Sequence, residues 1–249
     1  MKRLSPFLII FALLGGSLVA QTGSDDPKAL FQLARRYETG DDSIAADSIK
    51  SILYYKESAM RGYPPSMNYL GFSYYNGRGV ARDIDSAIYW IREAALHQDI
   101  TAAANLGFLL LEGDGVVHDT IEAEKWLWSA AEGGVPGAQL KIADMKREEW
   151  NEIPMDSALS LGAKYYEGKA PVVGVKLLQV AADKGSARAM ALLGDAYSKG
   201  IGVPYNHSKS IEYFNKAAQA GDPEAQSVIS ELLEIFPDAL NFLPSDSIY

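Results

Sequence analysis

The sequence predicts an all-α fold in which pairs of helices repeat along the chain. A glycine-containing segment occurs three times, at residues 70–80, 106–116 and 193–203. Each copy is followed by a second block that ends in two consecutive alanines. The spacing from Gly71 to Gly107 is 36 residues, and so is the spacing from Ala94 to Ala130. A unit of this length accommodates two helices of about a dozen residues each and two short turns.

The first helix of each pair, helix A, contains the glycine segment. Leu70, Gly71 and Tyr74 lie on one helical face. Glycine inside a helix costs up to about 1 kcal/mol relative to alanine, so its recurrence needs a packing reason. We expect the second helix to cross at this position and to leave no room for a Cβ atom. Gly77 and Gly79 end the helix, because glycine readily adopts the left-handed conformation of a helix cap.

The second helix, helix B, places an aromatic residue four positions before its alanine pair. The aromatic residues are Trp90, Trp126 and Tyr213. Residues four positions apart share a helical face, so each ring lies on the same side as the alanines. We expect the rings to fill the space between helices and the alanines to permit close approach. Such a stripe is typical of a structural core rather than of a cofactor site.

These two blocks carry a family resemblance. The pattern L-G-x-x-Y-x-x-G-x-G-V, followed by A-x-x-W-x-x-x-A-A, resembles the Sel1-like repeat, a relative of the tetratricopeptide repeat. Three copies contain both blocks, and related copies cover roughly residues 27–235. The resemblance implies a right-handed α/α solenoid of about five repeats that serves as an adaptor or scaffold for a protein or peptide partner. Some members staple each helix pair with a disulfide; this chain has no cysteine and relies on packing alone.

The pattern also predicts the boundaries of the repeats. Repeats cover about 27–62, 64–98, 100–134, 157–185 and 187–221, an extra helix covers 137–150, a capping helix covers 223–235, and an irregular tail covers 236–249. The extra helix is inferred because Gly107 and Gly162 are 55 residues apart, 19 more than one repeat. Residues from Asp156 onward also lie where the spacing places the start of a helix B, so the helix order over 137–185 stays open. We expect the helical stack to change course there.

The amino terminus has the pattern of a secretory signal peptide. Lys2 and Arg3 precede an uncharged apolar run from Phe7 to Leu14, and small residues and a polar stretch follow. This order predicts that residues 1–20 are a signal peptide and that residues 21–26 form a short linker.

The predicted signal peptide determines the expected location of the protein. The alternative is an uncleaved membrane anchor, but the apolar run is shorter than the roughly 20 residues that span a bilayer. Loss of Lys2 and Arg3 changes the net charge from −9 to −11. We expect an acidic protein exported by a bacterium, periplasmic or secreted, with no stable membrane insertion after the signal is removed.

The composition excludes several classes of activity. A net charge of −9 is opposite to what nucleic-acid binding requires. The absence of cysteine excludes thiolate nucleophiles and cysteine-bound metals. No motif of a serine hydrolase, a zinc protease or a nucleotide-binding loop occurs. The three histidines occupy unrelated repeat positions: His97, His118 and His207. We therefore expect no cofactor, no metal site and no catalytic residues.

Two classes of function remain. The favoured hypothesis is an exported, non-enzymatic adaptor that binds a protein or peptide through the solenoid groove. The alternative is an enzyme of the cell envelope, or a regulator linked to one, that acts on peptidoglycan or β-lactams. An acylation assay with a labelled penicillin distinguishes the two.

The candidate binding residues lie on helix A, opposite its core face. They are Tyr69, Phe72 and Asn76 in the second repeat and Asn105, Phe108 and Glu112 in the third. Equivalent positions change character between copies, whereas the core positions do not. In solenoids helix A usually lines the concave surface, so these residues could form a recognition strip. The alternative is that their rings pack against the helix of the neighbouring repeat.

Overall fold

A computed structural model describes residues 26–113, 115–237 and 239–242 of the 249-residue chain. All regular structure in these residues is helical, which confirms the predicted fold class. The α-helices are α1 Pro27–Thr39, α2 Ser48–Met60, α3 Pro64–Asn76, α4 Ile84–Leu96, α5 Ile100–Glu112, α6 Thr120–Glu132, α7 Pro136–Met145, α8 Arg147–Glu152, α9 Met155–Glu167, α10 Pro171–Asp183, α11 Ala187–Lys199, α12 His207–Gln219 and α13 Pro223–Ile235. The predicted signal peptide, most of the linker and residues 243–249 of the tail lie outside the described residues.

The chain divides into two compact units, Met1–Trp126 and Leu127–Tyr249. In the first unit, α1, α3 and α5 are helices A, while α2 and α4 are helices B. In the second unit, α9 and α11 are helices A and α10 and α12 are helices B. The division falls inside α6.

Aspartate caps the amino end of many of these helices. The capping residues are Asp26, Asp47, Asp83, Asp99, Asp119 and Asp222. In each case the carboxylate accepts hydrogen bonds from backbone N–H groups of the first turn, which have no partner within the helix. Part of the acidic excess of the chain therefore serves local structure.

The paired glycines end helix A as the sequence predicts. Gly77 adopts the left-handed conformation with φ 68°, and its N–H donates to the Ser73 carbonyl. The second glycine, Gly79, is required by a contact outside its own repeat, which the local pattern does not predict. A Cβ atom on Gly79 would lie 2.5 Å from the carbonyl oxygen of Ser48, at the start of α2. This glycine lets the loop touch the helix pair that precedes it.

The glycine inside helix A marks the crossing of helix B, as predicted. A Cβ atom on Gly71 would lie 2.5 Å from Cγ1 of Ile91 and 3.0 Å from the Ala87 carbonyl oxygen, both in α4. A Cβ atom on Gly194 would lie 2.9 Å from the Phe214 ring in α12. The recurring glycine therefore permits the close approach of α3 to α4 and of α11 to α12.

Aromatic rings fill part of the space within the pairs. Tyr37 of α1 stacks on Tyr54 of α2 with ring centroids 5.4 Å apart, and Tyr197 of α11 stacks on Tyr213 of α12 at 5.6 Å. The alanine pairs at the ends of α4 and α6 are buried. The alanine pairs therefore belong to the packed interior of the helix pairs, whereas Trp90, Trp126 and Tyr213 are half-buried.

The middle of the chain differs from the sequence prediction in one respect. A single helix was expected over 137–150, but the structure has α7 and α8, with a break at Lys146. Helices α9 and α10 form a close antiparallel pair, because Gly162 meets Leu178 and Gly174 meets Tyr166. Whether the stack changes course at α7 and α8 stays a prediction.

Gln139 of α7 joins the end of α6 to the segment at the start of α10. Its side-chain NH₂ group donates to the carbonyls of Ala131 and Lys169, at 3.0 and 2.8 Å, and its amide oxygen accepts from the N–H of Val172 at 3.1 Å. The residue is only 2% exposed. This buried amide satisfies backbone polar groups at the ends of two helices.

Helix α13 is an A-like helix that no α-helix follows in the described residues. At the position of the recurring glycine it has Ser230, whose side chain is exposed and whose hydroxyl donates to the Gln226 carbonyl. A Cβ atom is accommodated there because the position is exposed. The tail was expected to be irregular, but Ala239–Phe242 forms a short 3-10 helix.

Candidate binding surface

A pocket of about 660 Å³ lies along the helices A of the first unit. Its lining residues are Glu38, Asn68, Tyr69, Phe72, Ser73, Asn76, Arg78, Thr101 and Asn105. They come from α1, α3 and α5 and from the glycine loop after α3. Three consecutive repeats therefore contribute to one surface, which we call the α1–α3–α5 groove.

The structure brings four of the six candidate residues together. Tyr69, Phe72, Asn76 and Asn105 line the groove. Phe108 and Glu112 do not line it: Phe108 is half-buried and Glu112 is exposed.

Tyr69 belongs to an aromatic cluster at one side of the groove. Its ring stacks on Tyr55 of α2 with centroids 5.2 Å apart and meets the edge of Phe31 of α1 at 5.5 Å. The guanidinium of Arg35 lies 5.8 Å from the centroid of the Tyr69 ring. Tyr69 thus packs partly against neighbouring helices, which was the alternative for this strip. The residue nevertheless lines the groove.

Two asparagines from adjacent repeats meet in the groove. The side-chain NH₂ of Asn105 on α5 donates to Oδ1 of Asn68 on α3 at 3.2 Å. Asn76 instead bonds its own helix, because its NH₂ donates to the Phe72 carbonyl at 3.0 Å. Asn68, one position before Tyr69, also lines the groove, although its position on the helix did not predict this.

The two charged residues of the groove, Glu38 and Arg78, form an ion pair. Nη1 of Arg78 donates to Glu38 at 3.0 Å, and the hydroxyl of Tyr55 donates to the same carboxylate at 2.8 Å. Burial raises the pKa of Tyr55, and the hydrogen bond to Glu38 raises it further, so this hydroxyl stays protonated as a donor. Arg78 lies between Gly77 and Gly79, and its partner Glu38 is 40 residues earlier in the chain. No local sequence pattern predicts this pair.

Equivalent positions in the second unit have a different character. Asp195, which corresponds to Phe72, accepts from the Tyr166 hydroxyl at 2.8 Å and from Nζ of Lys199 at 2.9 Å. An aromatic and amide surface in the first unit is therefore replaced by an ion-paired one. The combination of half-buried rings and amide side chains distinguishes the first unit.

The described part of the chain contains no cluster of three or more histidine, aspartate or glutamate side chains arranged to hold a metal ion. Within residues 26–113, 115–237 and 239–242, no helix has the length and apolar character needed to cross a membrane.

Helix pairs joined by glycine loops and stacked on their neighbours define a helical repeat protein. Four segments match the Sel1 repeat: residues 27–63, 64–99, 100–135 and 187–222. They cover more than half of the sequence, and the chain belongs to the Sel1 repeat family. Proteins of this family generally act as scaffolds for protein–protein interaction. Residues 136–186, which contain α7 to α10, are not among the matched segments.

Several solved structures are similar to this chain. A protective antigen present in uropathogenic Escherichia coli strains is 28% identical, over 88% of this chain and 51% of its own, with a TM-score of 0.49. A Sel1 repeat protein from Oxalobacter formigenes is 27% identical, over 90% and 84%, with a TM-score of 0.49. An immunity protein from Pseudomonas aeruginosa is 20% identical, over 81% and 69%, with a TM-score of 0.39. The chain spans about half the length of the first of these proteins. A comparison with the curated proteins gives no match.

Proposed function

We propose that this protein is an exported, non-enzymatic adaptor that binds a segment of a partner protein in the α1–α3–α5 groove. The observation that carries the proposal is the groove itself, in which helices A of three consecutive repeats present rings and amides toward solvent. The family's general role in protein–protein interaction supports the same assignment.

The chemistry of the groove suits a protein segment. The rings of Tyr69 and Phe72 are half-buried, so a partner that covers them removes further apolar surface from water. Amide side chains beside them supply hydrogen bonds that fix orientation. Aromatic contacts surrounded by polar groups are the usual composition of a protein interface.

The proposal is tested by two substitutions at one repeat position. Phe72 and Phe108 occupy equivalent places in consecutive repeats and both are half-buried, but only Phe72 lines the groove. We expect Phe72→Ala to weaken binding of the partner at least tenfold and Phe108→Ala to change it less than threefold, because loss of a buried ring contact costs more than about 1.4 kcal/mol. Equal effects of the two variants would contradict the assignment of the groove.

The partner can be identified by photocrosslinking. Benzoylphenylalanine at position 72 should form an adduct with one partner in cells, and mass spectrometry of the adduct gives its identity. The control places the same residue at position 89, because Tyr89 is 55% exposed on α4 and outside the groove. The same adducts at both positions would indicate nonspecific contact.

Export is tested separately. Expression in a bacterium should give a mature protein that lacks residues 1–20 and is found outside the cytoplasm. Ile10→Lys interrupts the apolar run and should prevent cleavage. A full-length protein that remains in the cytoplasm would refute export and leave the binding proposal unaffected.

A further inference from the structure

We propose that the Asn68–Asn105 amide pair binds the main chain of one residue in an extended peptide. This inference rests on the proposed function and names the kind of segment that the groove takes. The inference rests on one hydrogen-bond donor group and one acceptor group that the two side chains leave unused.

The pair leaves one donor group and one acceptor group free. Asn105 donates to Asn68, and within the described residues neither side chain makes another hydrogen bond. The Asn68 NH₂ group and the Asn105 carbonyl oxygen therefore have no protein partner. Exchange of the oxygen and nitrogen positions in both amides gives the same result, because one NH₂ and one C=O still remain.

The unused NH₂ group of Asn68 faces the groove. Asn68 is only 6% exposed. No fully enclosed side-chain nitrogen or oxygen among the described residues lacks a partner. The free amide group of Asn68 is consequently in contact with the space of the groove, which Asn68 lines.

An extended peptide supplies the complementary groups. In a strand, the N–H and C=O of the same residue point to the same side, where a neighbouring strand ordinarily bonds both. The amide pair offers one donor and one acceptor to that side and takes the place of the neighbouring strand. A helical peptide does not fit, because its N–H and C=O groups are bonded within the helix.

The rest of the groove makes this recognition tolerant of sequence. Tyr69 and Phe72 provide apolar contact on one side of the strand, where alternate side chains point. Glu38 and Arg78 neutralise each other and leave no net charge in the lining. We expect binding to depend weakly on salt concentration, in contrast to a site that reads charged side chains.

The probe is a peptide selected from a random 12-residue phage-displayed library against the whole protein and then synthesised with a fluorescein label. N-methylation at each position in turn removes one N–H and keeps every side chain. Fluorescence anisotropy gives the affinity of each peptide for the wild type, for Asn105→Ala and for Asn151→Ala. Asn151 is exposed in the second unit and serves as the matched control.

We expect N-methylation to weaken binding about tenfold at one position and less than threefold elsewhere, because only one residue faces the amide pair. Asn105→Ala should lower the affinity of the unmodified peptide similarly and abolish the effect of N-methylation at that position. Asn151→Ala should leave the whole profile unchanged. If Asn105→Ala does not fold, as judged by circular dichroism, the N-methylation profile of the wild type decides alone.

The outcomes separate this inference from the proposed function. Peptides that lose affinity in Phe72→Ala but tolerate N-methylation everywhere would overturn the amide pair as the binding element and leave the groove intact. Peptides that bind Phe72→Ala and Asn105→Ala as well as the wild type, or a library that yields no binder, would overturn both.

Discussion

Replacement of Gly71 by alanine tests the close packing of α3 against α4. The added Cβ atom would lie 2.5 Å from Cγ1 of Ile91, about 1 Å closer than carbon atoms ordinarily approach. It would also lie 3.0 Å from the carbonyl oxygen of Ala87 and 3.1 Å from the backbone nitrogen of Ile91. Rotation of a side chain cannot relieve contacts with backbone atoms, so α4 as a whole must move.

The structure and helix propensity predict opposite signs for this change. Overpacking a closely packed contact costs about 1–3 kcal/mol, and the backbone contacts place Gly71→Ala near the upper value. The intrinsic preference of a helix for alanine over glycine offsets about 1 kcal/mol of this cost. We expect a net loss of about 2 kcal/mol and a decrease in Tm of about 4–8 °C.

Thermal and urea unfolding followed by circular dichroism measure the effect. The matched control is Ser230→Ala, at the same repeat position in α13, where the side chain is exposed and no α-helix follows in the described part of the chain. That change should stabilise the protein by about 0.5 kcal/mol through helix propensity alone. If Gly71→Ala is also stabilising, the close contact with α4 does not explain the recurring glycine.

Three further predictions concern stability. Gln139→Leu should cost about 3 kcal/mol in urea unfolding, because it leaves two carbonyls and one N–H unsatisfied; a loss below 1 kcal/mol would mean that water replaces the amide. Gln98 has φ 65°, where glycines stand in the equivalent turns, so Gln98→Gly should stabilise the protein by about 0.5–1 kcal/mol, after the greater unfolded-state entropy of glycine is subtracted. An unchanged melting temperature would show that the turn is unstrained. Tyr55→Phe should cost about 1 kcal/mol at pH 7 through loss of the bond to Glu38. Because the pKa of Tyr55 is raised above 10.0 in the folded state, the folded form holds its proton longer than the unfolded form, and the wild type should lose this advantage as the pH rises above 10; a constant difference from pH 7 to 11 would contradict the raised pKa.

The helix pairs could be predicted because their causes are local. Gly77 and Gly79 signal the end of α3 through backbone conformation, and Gly71 signals the crossing through the absence of a side chain. Each signal is encoded within one repeat and recurs with the 36-residue period. The break at Lys146 has no comparable local signal, so α7 and α8 were expected as one helix.

The candidate site could be predicted only in part. Helical periodicity gives the angular position of a residue on its helix, and this was sufficient to select Tyr69 and Phe72. Phe108 has the same angular position as Phe72 and does not line the groove. Periodicity does not determine which side chains of neighbouring helices lie opposite a given position.

The sequence by itself determined the architecture of this protein: the helix pairs, the repeat period and the positions where helices must touch. The tertiary structure alone decided the chemistry of the groove. It joins Asn68 to Asn105 across 37 residues and Glu38 to Arg78 across 40. Such pairs depend on how α1, α3 and α5 stack. The stacking results from the packing of whole helices, so no local sequence pattern predicts which side chains lie within a few ångströms of each other.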